Sequence, residues 1–326
     1  MHKIEGLPTF NDVQSAAKRL AGIVRRTPLL ESDLLNEHVG GRLLIKAEPL
    51  QRTGSFKFRG AYNAISQLGG KPVVAFSSGN HAQGVALAAK LLRVPATIIM
   101  PSDAPLIKQE NTKAYGADLR LIDRYRDSRE EIGDQIARDT GAVLVKPYDD
   151  PRVMAGQGTV GLEIVDQAKE MDASLDAVVI CCGGGGLASG CCLALNALVP
   201  DVAIYSAEPQ THDDTRRSLD AGERLAIVPG STTLCDALMA PMPGELTFPI
   251  NHRYLTGGLA VSDDQALYAM TLAFQTLKLV IEPGGAVALA AVLFGHLDIK
   301  GKTVAVVASG GNVDPATYQH AFIQAA

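Results

Sequence analysis

A chain of 326 residues, with 30 lysines and arginines against 35 acids and a net charge of −5, has room for two α/β units or one large one. Either buries a core without disulfide or metal staples. The mild acidic excess excludes a nucleic-acid footprint, and 32 glycines with 17 prolines are too few for a collagen-like or low-complexity chain.

Thr9 to Asp12 carries a capping-box pattern, and Val13, Ala16, Ala17 and Leu20 follow at helical spacing, which predicts a first helix. A strand is expected at 43–47. Strand and helix then alternate: strand 73–76, helix 81–92, strand 96–100, helix 107–115, strand 118–122, helix 129–140 and strand 143–145. The glycine-rich stretch 155–161 predicts a turn, leading to helix 162–169, strand 177–182, helix 187–197 and strand 202–207. Helices 263–280 and 286–293, strand 303–308 and a C-terminal helix complete the order. Short apolar strands between helices indicate parallel sheets covered on both faces. Residues 72–149 are expected to form a small α/β domain inserted into a larger one made of 1–71 and 150–326.

The uncharged run 177–200 is long enough to span a membrane. Four glycines at its centre would disrupt a lone helix, so a buried strand, a loop and a buried helix are expected there and no membrane partner. The first residues lack an apolar leader core. The cysteines fall as Cys181-Cys182, Cys191-Cys192 and Cys235, without CxxC spacing. They read as reduced core residues of a cytoplasmic protein, and vicinal pairs do not suit zinc.

In such sheets ligands gather where loops leave the C-terminal ends of strands, and four loops have suitable composition. Small residues around Lys57, in Thr53-Gly54-Ser55-Phe56-Lys57-Phe58-Arg59-Gly60, let another molecule approach its amine, and burial brings a lysine toward nucleophilic range. Ser77-Ser78-Gly79-Asn80-His81 opens a helix with hydroxyls, an amide and free N–H groups, a nest for a carboxylate. Gly183, Gly184, Gly185 and Gly186, followed by Leu187, expose backbone N–H groups at another helix start, where a phosphate is the natural guest. Ser309-Gly310-Gly311-Asn312 ends the last strand and sets the Ser309 hydroxyl against a ring nitrogen. A rival reading exists, because Gly183, Gly185 and Ala188 fit G-x-G-x-x-A and Glu208 lies 20 residues beyond. That is the fingerprint of an NAD-dependent dehydrogenase, but it leaves the other three loops without a task.

Taken in order, Ser55-x-Lys57-x-Arg59-Gly60, Ser78-Gly79-Asn80-His81, the four glycines and Ser309-Gly310-Gly311-Asn312 resemble the fold-type II pyridoxal-phosphate enzymes. Ala155-Gly156-Gln157-Gly158-Thr159 and Ile281-Glu282-Pro283 match as well, and within that group the chain is similar to the serine/threonine dehydratase and serine racemase family. The resemblance implies an α/β fold like the tryptophan synthase β chain, with two open, twisted, mostly parallel sheets flanked by helices. It implies that Lys57 holds pyridoxal 5'-phosphate through an imine and acts as the base at Cα. Phe56 would stack beside the ring and Asn80 would bond its 3'-oxygen. Gly183, Gly184, Gly185, Gly186 and Leu187 would cradle the phosphate, and Ser309 would face the ring nitrogen. Ser78, Asn80, His81 and Arg129 would hold the substrate carboxylate, with Ser78 also placed to relay a proton. Glu208, Asp214 and the backbone carbonyl of His212 match a divalent-cation site, with hard oxygen ligands suited to Mg2+ or Ca2+.

The activity so implied is β-elimination from a β-hydroxy-α-amino acid, giving a 2-oxo acid and ammonia, by a homodimer. L-threonine or L-serine is the first expectation. The stretch 233–244 departs from the family's usual loop, with Ala237 and Ala240 near the expected side-chain pocket, and it brings in 3-hydroxyaspartate or phenylserine dehydration, or serine racemisation, as alternatives. A protein that binds the cofactor without turnover is the non-catalytic alternative.

Overall fold

The computed structural model describes residues 6–324 apart from Ser78, Pro105, Arg124, Tyr125 and Ser128, and only the backbone of Ile107, Arg129 and Glu130. The first half contains α1 (Phe10–Leu20), β1 (Leu29–Glu31), α2 (Asp33–Val39), β2 (Arg42–Ala47), α3 (Lys57–Ile65), β3 (Val73–Phe76), α4 (Asn80–Leu92), β4 (Ala96–Pro101), α5 (Leu106–Ala114), β5 (Asp118–Ile122), α6 (Arg129–Thr140) and β6 (Val143–Leu144). The second contains α7 (Pro151–Glu170), β7 (Ala177–Cys181), α8 (Gly186–Leu198), β8 (Ala203–Pro209), α9 (Asp214–Ala221), α10 (Thr247–Tyr254), β9 (Gly257–Val261), α11 (Asp263–Leu277), α12 (Pro283–Leu293), β10 (Thr303–Ala308) and α13 (Pro315–Gln324).

Two sheets result. One has four parallel strands in the order β5-β4-β3-β6, and the other has six in the order β1-β2-β10-β7-β8-β9. Among the described residues only β1 runs antiparallel in the larger sheet, and β10 lies at its centre with Val304 opposite both Leu43 and Ala177. The central strands β7 and β10 are apolar on both faces, because helices cover both. Among the described residues, no helix is long and apolar enough to cross a membrane. The run 177–200 is strand β7, a glycine loop and helix α8, as expected.

The predicted turn at 155–161 is overturned. Those residues lie inside α7, which starts at Pro151 behind an Asp150 cap that accepts from the Arg152 amide at 2.8 Å. An N-cap acid followed by proline at the first helical position is itself a helix-start signal. The glycines serve packing. A Cβ on Gly156 would stand 2.7 Å from the Cα of Gly60 in α3, and one on Gly158 would stand 2.6 Å from the carbonyl oxygen of Gly190 in α8. Each helical glycine costs about 1 kcal/mol of propensity, offset here by main-chain contact between three helices. The helix predicted to reach residue 280 stops at Leu277, where Lys278 turns left-handed with φ 57°.

Beneath the start of α3 lies a buried network of charges. Arg59 donates to Glu48 at 2.8 and 2.9 Å and to Glu163 at 2.6 and 2.8 Å, and Lys46 donates to Glu163 at 2.6 Å. Buried ions persist only when paired this fully. The network ties the first turn of α3, which carries Lys57, to β2 and α7.

Candidate active site

The loops leaving β3, β7 and β10 meet the segment 236–245 around a cavity of about 690 Å³. Lys57 reaches it because the chain before α3 is stitched to the end of β10: Ser55 bridges Gly310, and the Phe56 amide donates to the Ser309 carbonyl at 3.1 Å. The Lys57 Nζ donates to the Pro147 carbonyl at 2.9 Å and lies 5.1 Å from the centre of the Phe56 ring. Burial pushes its pKa down to about 8, with Glu282 pulling the other way.

The opposite wall is the N-terminus of α4. Asn80 is held from both sides, donating to Glu282 Oε1 at 2.5 Å and accepting from Asn312 at 2.7 Å. His81 turns its Nε2 onto the Val145 carbonyl at 2.8 Å. A carbonyl only accepts, so Nε2 carries the proton, and burial with Lys57 nearby pushes the ring pKa down to about 3. The ring is neutral and already engaged, so the group that His81 offers the cavity as a donor is its backbone N–H.

The four glycines follow β7 and open α8. Gly185 has φ 91°, and a Cβ there would stand 2.6 Å from Asn251 Nδ2 and 2.8 Å from Thr247 Oγ1. Thr247 and the Gly244 amide both donate to the Gly184 carbonyl, at 2.7 and 3.3 Å, and all four glycines line the cavity. Such a cradle at the start of a 13-residue helix fits a phosphate, and a buried amine of lowered pKa fits an aldehyde, so the residues present suit pyridoxal phosphate.

Phe56, Lys57, Asn80, His81, the four glycines with Leu187, and Ser309 therefore share one cavity. Ser78 lies outside the described residues, and Arg129 contributes only its backbone at the start of α6. The dinucleotide reading loses its acid: Glu208 accepts from the Thr215 and Arg216 amides at 2.9 and 2.8 Å and is buried at the start of α9.

Glu208, His212 and Asp214 form a separate group. Both carboxylates are buried, and neither Asp214 oxygen has a hydrogen-bond partner. Burial, with mutual repulsion, pushes Glu208 up to about 8, and burial pushes Asp214 up to about 7. Among the described residues no three His, Cys, Asp or Glu side chains converge on a metal position. Two carboxylates and a backbone carbonyl are a smaller set, and the orphaned Asp214 oxygens are hard donors that fit a divalent cation.

Sequence reasoning quoted Glu282 only as part of a matching tripeptide, without a role. Burial, then Asp236, push its carboxyl up to about 7, and its Oε2 has no partner. An acid ahead of Pro-Gly-Gly in an otherwise apolar stretch was the available signal. Lys108 and Asp236, which pair across the cavity, were missed because Lys108 sits on an ordinary polar helix.

A family model described as pyridoxal-phosphate dependent enzyme matches residues 20–310. An L-threo-3-hydroxyaspartate ammonia-lyase of Pseudomonas sp is 43% identical over 96% of this chain and 98% of its own length. An L-threonine ammonia-lyase of Thermotoga maritima is 43% identical over 94% of this chain and 76% of its own. The crystal structure of a threonine deaminase from T.th. superposes with a TM-score of 0.89 at 44% identity, covering 94% of this chain and 99% of that one. The family match runs from the last residue of α1 to the loop after β10, across the amine, the cradle and the carboxylate nest alike, and the chain belongs to the pyridoxal-phosphate dependent enzymes.

Proposed function

We propose that this protein is an ammonia-lyase that eliminates water from a β-hydroxy-α-amino acid, releasing a 2-oxo acid and ammonia, with 3-hydroxyaspartate ahead of threonine and serine. The observation that carries the reading is the buried Lys57 amine, set between the glycine cradle and the N-terminus of α4. The names of the relatives support the substrate class.

Pyridoxal phosphate, when bound, supplies the electron sink that makes a Cα proton removable. The protein's own groups supply aim and proton transfer. The backbone amides of Gly183, Gly184, Gly185, Gly186 and Leu187 would hold its anionic end at the start of α8. Phe56 would flank the ring, and Asn80, immobilised by Glu282 and Asn312, would bond the ring oxygen. The amides of Asn80 and His81 at the N-terminus of α4 receive the substrate carboxylate, with Ser78 and Arg129 assigned to the same task by sequence pattern. Lys57 Nζ takes the Cα proton, and its lowered pKa keeps a usable fraction unprotonated near neutrality. Ser309 puts a neutral hydroxyl at the end of β10, where an aspartate would fix a proton on the ring nitrogen. That favours prompt loss of the β-hydroxyl over transamination.

Glu208 and Asp214, with the His212 carbonyl, would hold Mg2+ or Ca2+, in a structural role rather than at the bond being broken. The enzyme works as a cytoplasmic homodimer, and residues 72–149, which carry the four-stranded sheet, form the smaller of two domains.

The test is ammonia release from both diastereomers of 3-hydroxyaspartate, L-threonine, L-serine and phenylserine. Lys57→Ala lowers the rate by roughly 10²–10⁴-fold, and borohydride reduction of the wild type fixes the cofactor's mass on the peptide containing Lys57. Holoenzyme that releases ammonia from none of these substrates overturns the reading.

A further inference from the structure

We propose that Lys108 is the residue that selects dicarboxylic substrates, with Asp236 holding its place until the second carboxylate of the substrate arrives. The inference rests on the reading of this cavity as a β-hydroxy-α-amino acid site.

Lys108 projects from α5, on the side of the four-stranded sheet, and its side chain is 10% exposed. Its Nζ lies 3.8 Å from where a Cβ of Gly79 would stand, beside the N-terminus of α4 that receives the first carboxylate. It donates to Asp236 Oδ2 at 2.5 Å, across the cavity from α5. Both residues line the cavity and lie within electrostatic reach of Glu282.

The two partners are unequal. Lys108 is shut away from water and needs an anion, whereas the Asp236 side chain is 49% exposed and regains hydration as soon as it lets go. An incoming carboxylate therefore replaces the half-exposed Asp236 as the partner of the buried Lys108, while the displaced Asp236 turns into solvent. The threonine methyl and the serine β-hydrogens bring no anion and leave the pair closed. The other cations of the wall are less suited: Lys146 is exposed, and Arg224 is tied to the Pro243 carbonyl at 2.9 Å and to Glu245 at 3.4 Å. A carboxylate held at α4 and a second held at Lys108 fit the two ends of a four-carbon dicarboxylic amino acid.

The experiment compares wild-type holoenzyme with Lys108→Met, Lys108→Arg and Asp236→Asn. Succinate and butyrate are titrated calorimetrically, and kcat and KM are measured for L-threo-3-hydroxyaspartate and L-threonine. Lys108→Met is expected to lower the ratio of kcat/KM for hydroxyaspartate over threonine by about 10- to 100-fold, the range for one buried charge-assisted hydrogen bond, mostly through KM. It also erases the preference for succinate over butyrate. Lys108→Arg restores part of both, and Asp236→Asn lowers KM for hydroxyaspartate. An unchanged ratio in Lys108→Met overturns the inference, since Lys108 then serves the carboxylate common to both substrates or merely braces the fold. Wild-type release of ammonia from threonine, with no preference for succinate, overturns the inference and leaves the eliminase reading standing. Succinate binding that depends on Lys108 in an enzyme releasing no ammonia does the reverse.

Discussion

Lys57 is a lysine made unusual by its surroundings. An ordinary lysine holds its proton to about pH 10.4, but burial brings this one to about 8. Below that value the amine is protonated and cannot attack an aldehyde; above it the free base predominates. At pH 7 roughly one molecule in ten already carries the free base. The rate at which apoprotein captures pyridoxal phosphate covalently, followed by stopped-flow absorbance, should therefore rise with pH, reach half its plateau near pH 8 and level off above about pH 9. Glu282 opposes the effect of burial, so Glu282→Gln should move the midpoint lower. A rate still climbing at pH 10 in the wild type would contradict this account. His81 shows the converse: a residue that the sequence offers as a carboxylate ligand has its Nε2 engaged by Val145, and its backbone amide is the donor left for a substrate carboxylate.

At the scale of elements, the turn between β8 and α9 confines two acids that no neighbouring cation neutralises fully. Divalent cation bound there acts on the folded state alone, and at a hundred times its Kd it adds about 2.7 kcal/mol. Protein stripped with EDTA should melt lower than protein resupplied with Mg2+ in differential scanning calorimetry, and Asp214→Asn should abolish the difference. Identical melting curves would leave Glu208 as a cap for α9 and nothing more. The element order itself was largely legible, because β3, β10 and α6 obey strong local rules: apolar runs of strand length and helical periodicity between breakers. Legibility failed where tertiary packing overrode composition. Gly156, Gly158 and Gly161 read as a turn, yet they line a helix face against α3 and α8. Strand β9 opens with Gly257-Gly258, which carries no strand preference, and it exists because β8 offers it a paired edge. Of the cavity, the four loops were visible as motifs, but Lys108 and Asp236 come from an amphipathic helix and an irregular segment. Their meeting is a property of the fold alone.

At the scale of the whole molecule, the two sheets close on the cavity from opposite sides, and the Lys108–Asp236 pair crosses between them. The proposed homodimer has a surface consistent with it. Phe274, Tyr318 and Phe322 stack edge to face between α11 and α13, with Phe274 41% and Ile323 66% exposed. Contiguous apolar patches of this kind mark association sites on soluble chains. Multi-angle light scattering should return twice the mass of one chain, and the double replacement Phe322→Glu with Ile323→Glu should shift it toward a single copy. A wild-type monomer would dismiss the dimer.

The glycine seam between α7 and α8 has a wider consequence. Where Gly158 meets Gly190, main chain rests on main chain, so a side chain at either position would part α7 from α8 and shift the glycine loop that opens α8. The pocket's far wall, the 236–245 segment, is tied to this seat by the Gly244 amide, which donates to the Gly184 carbonyl at 3.3 Å, and to the 227 region by the Ile227 amide, which donates to the Pro241 carbonyl at 3.0 Å. Replacing side chains on that wall leaves the seam's main-chain contact untouched, and relatives equally similar to this chain carry the names of enzymes for an acidic and for an uncharged amino acid.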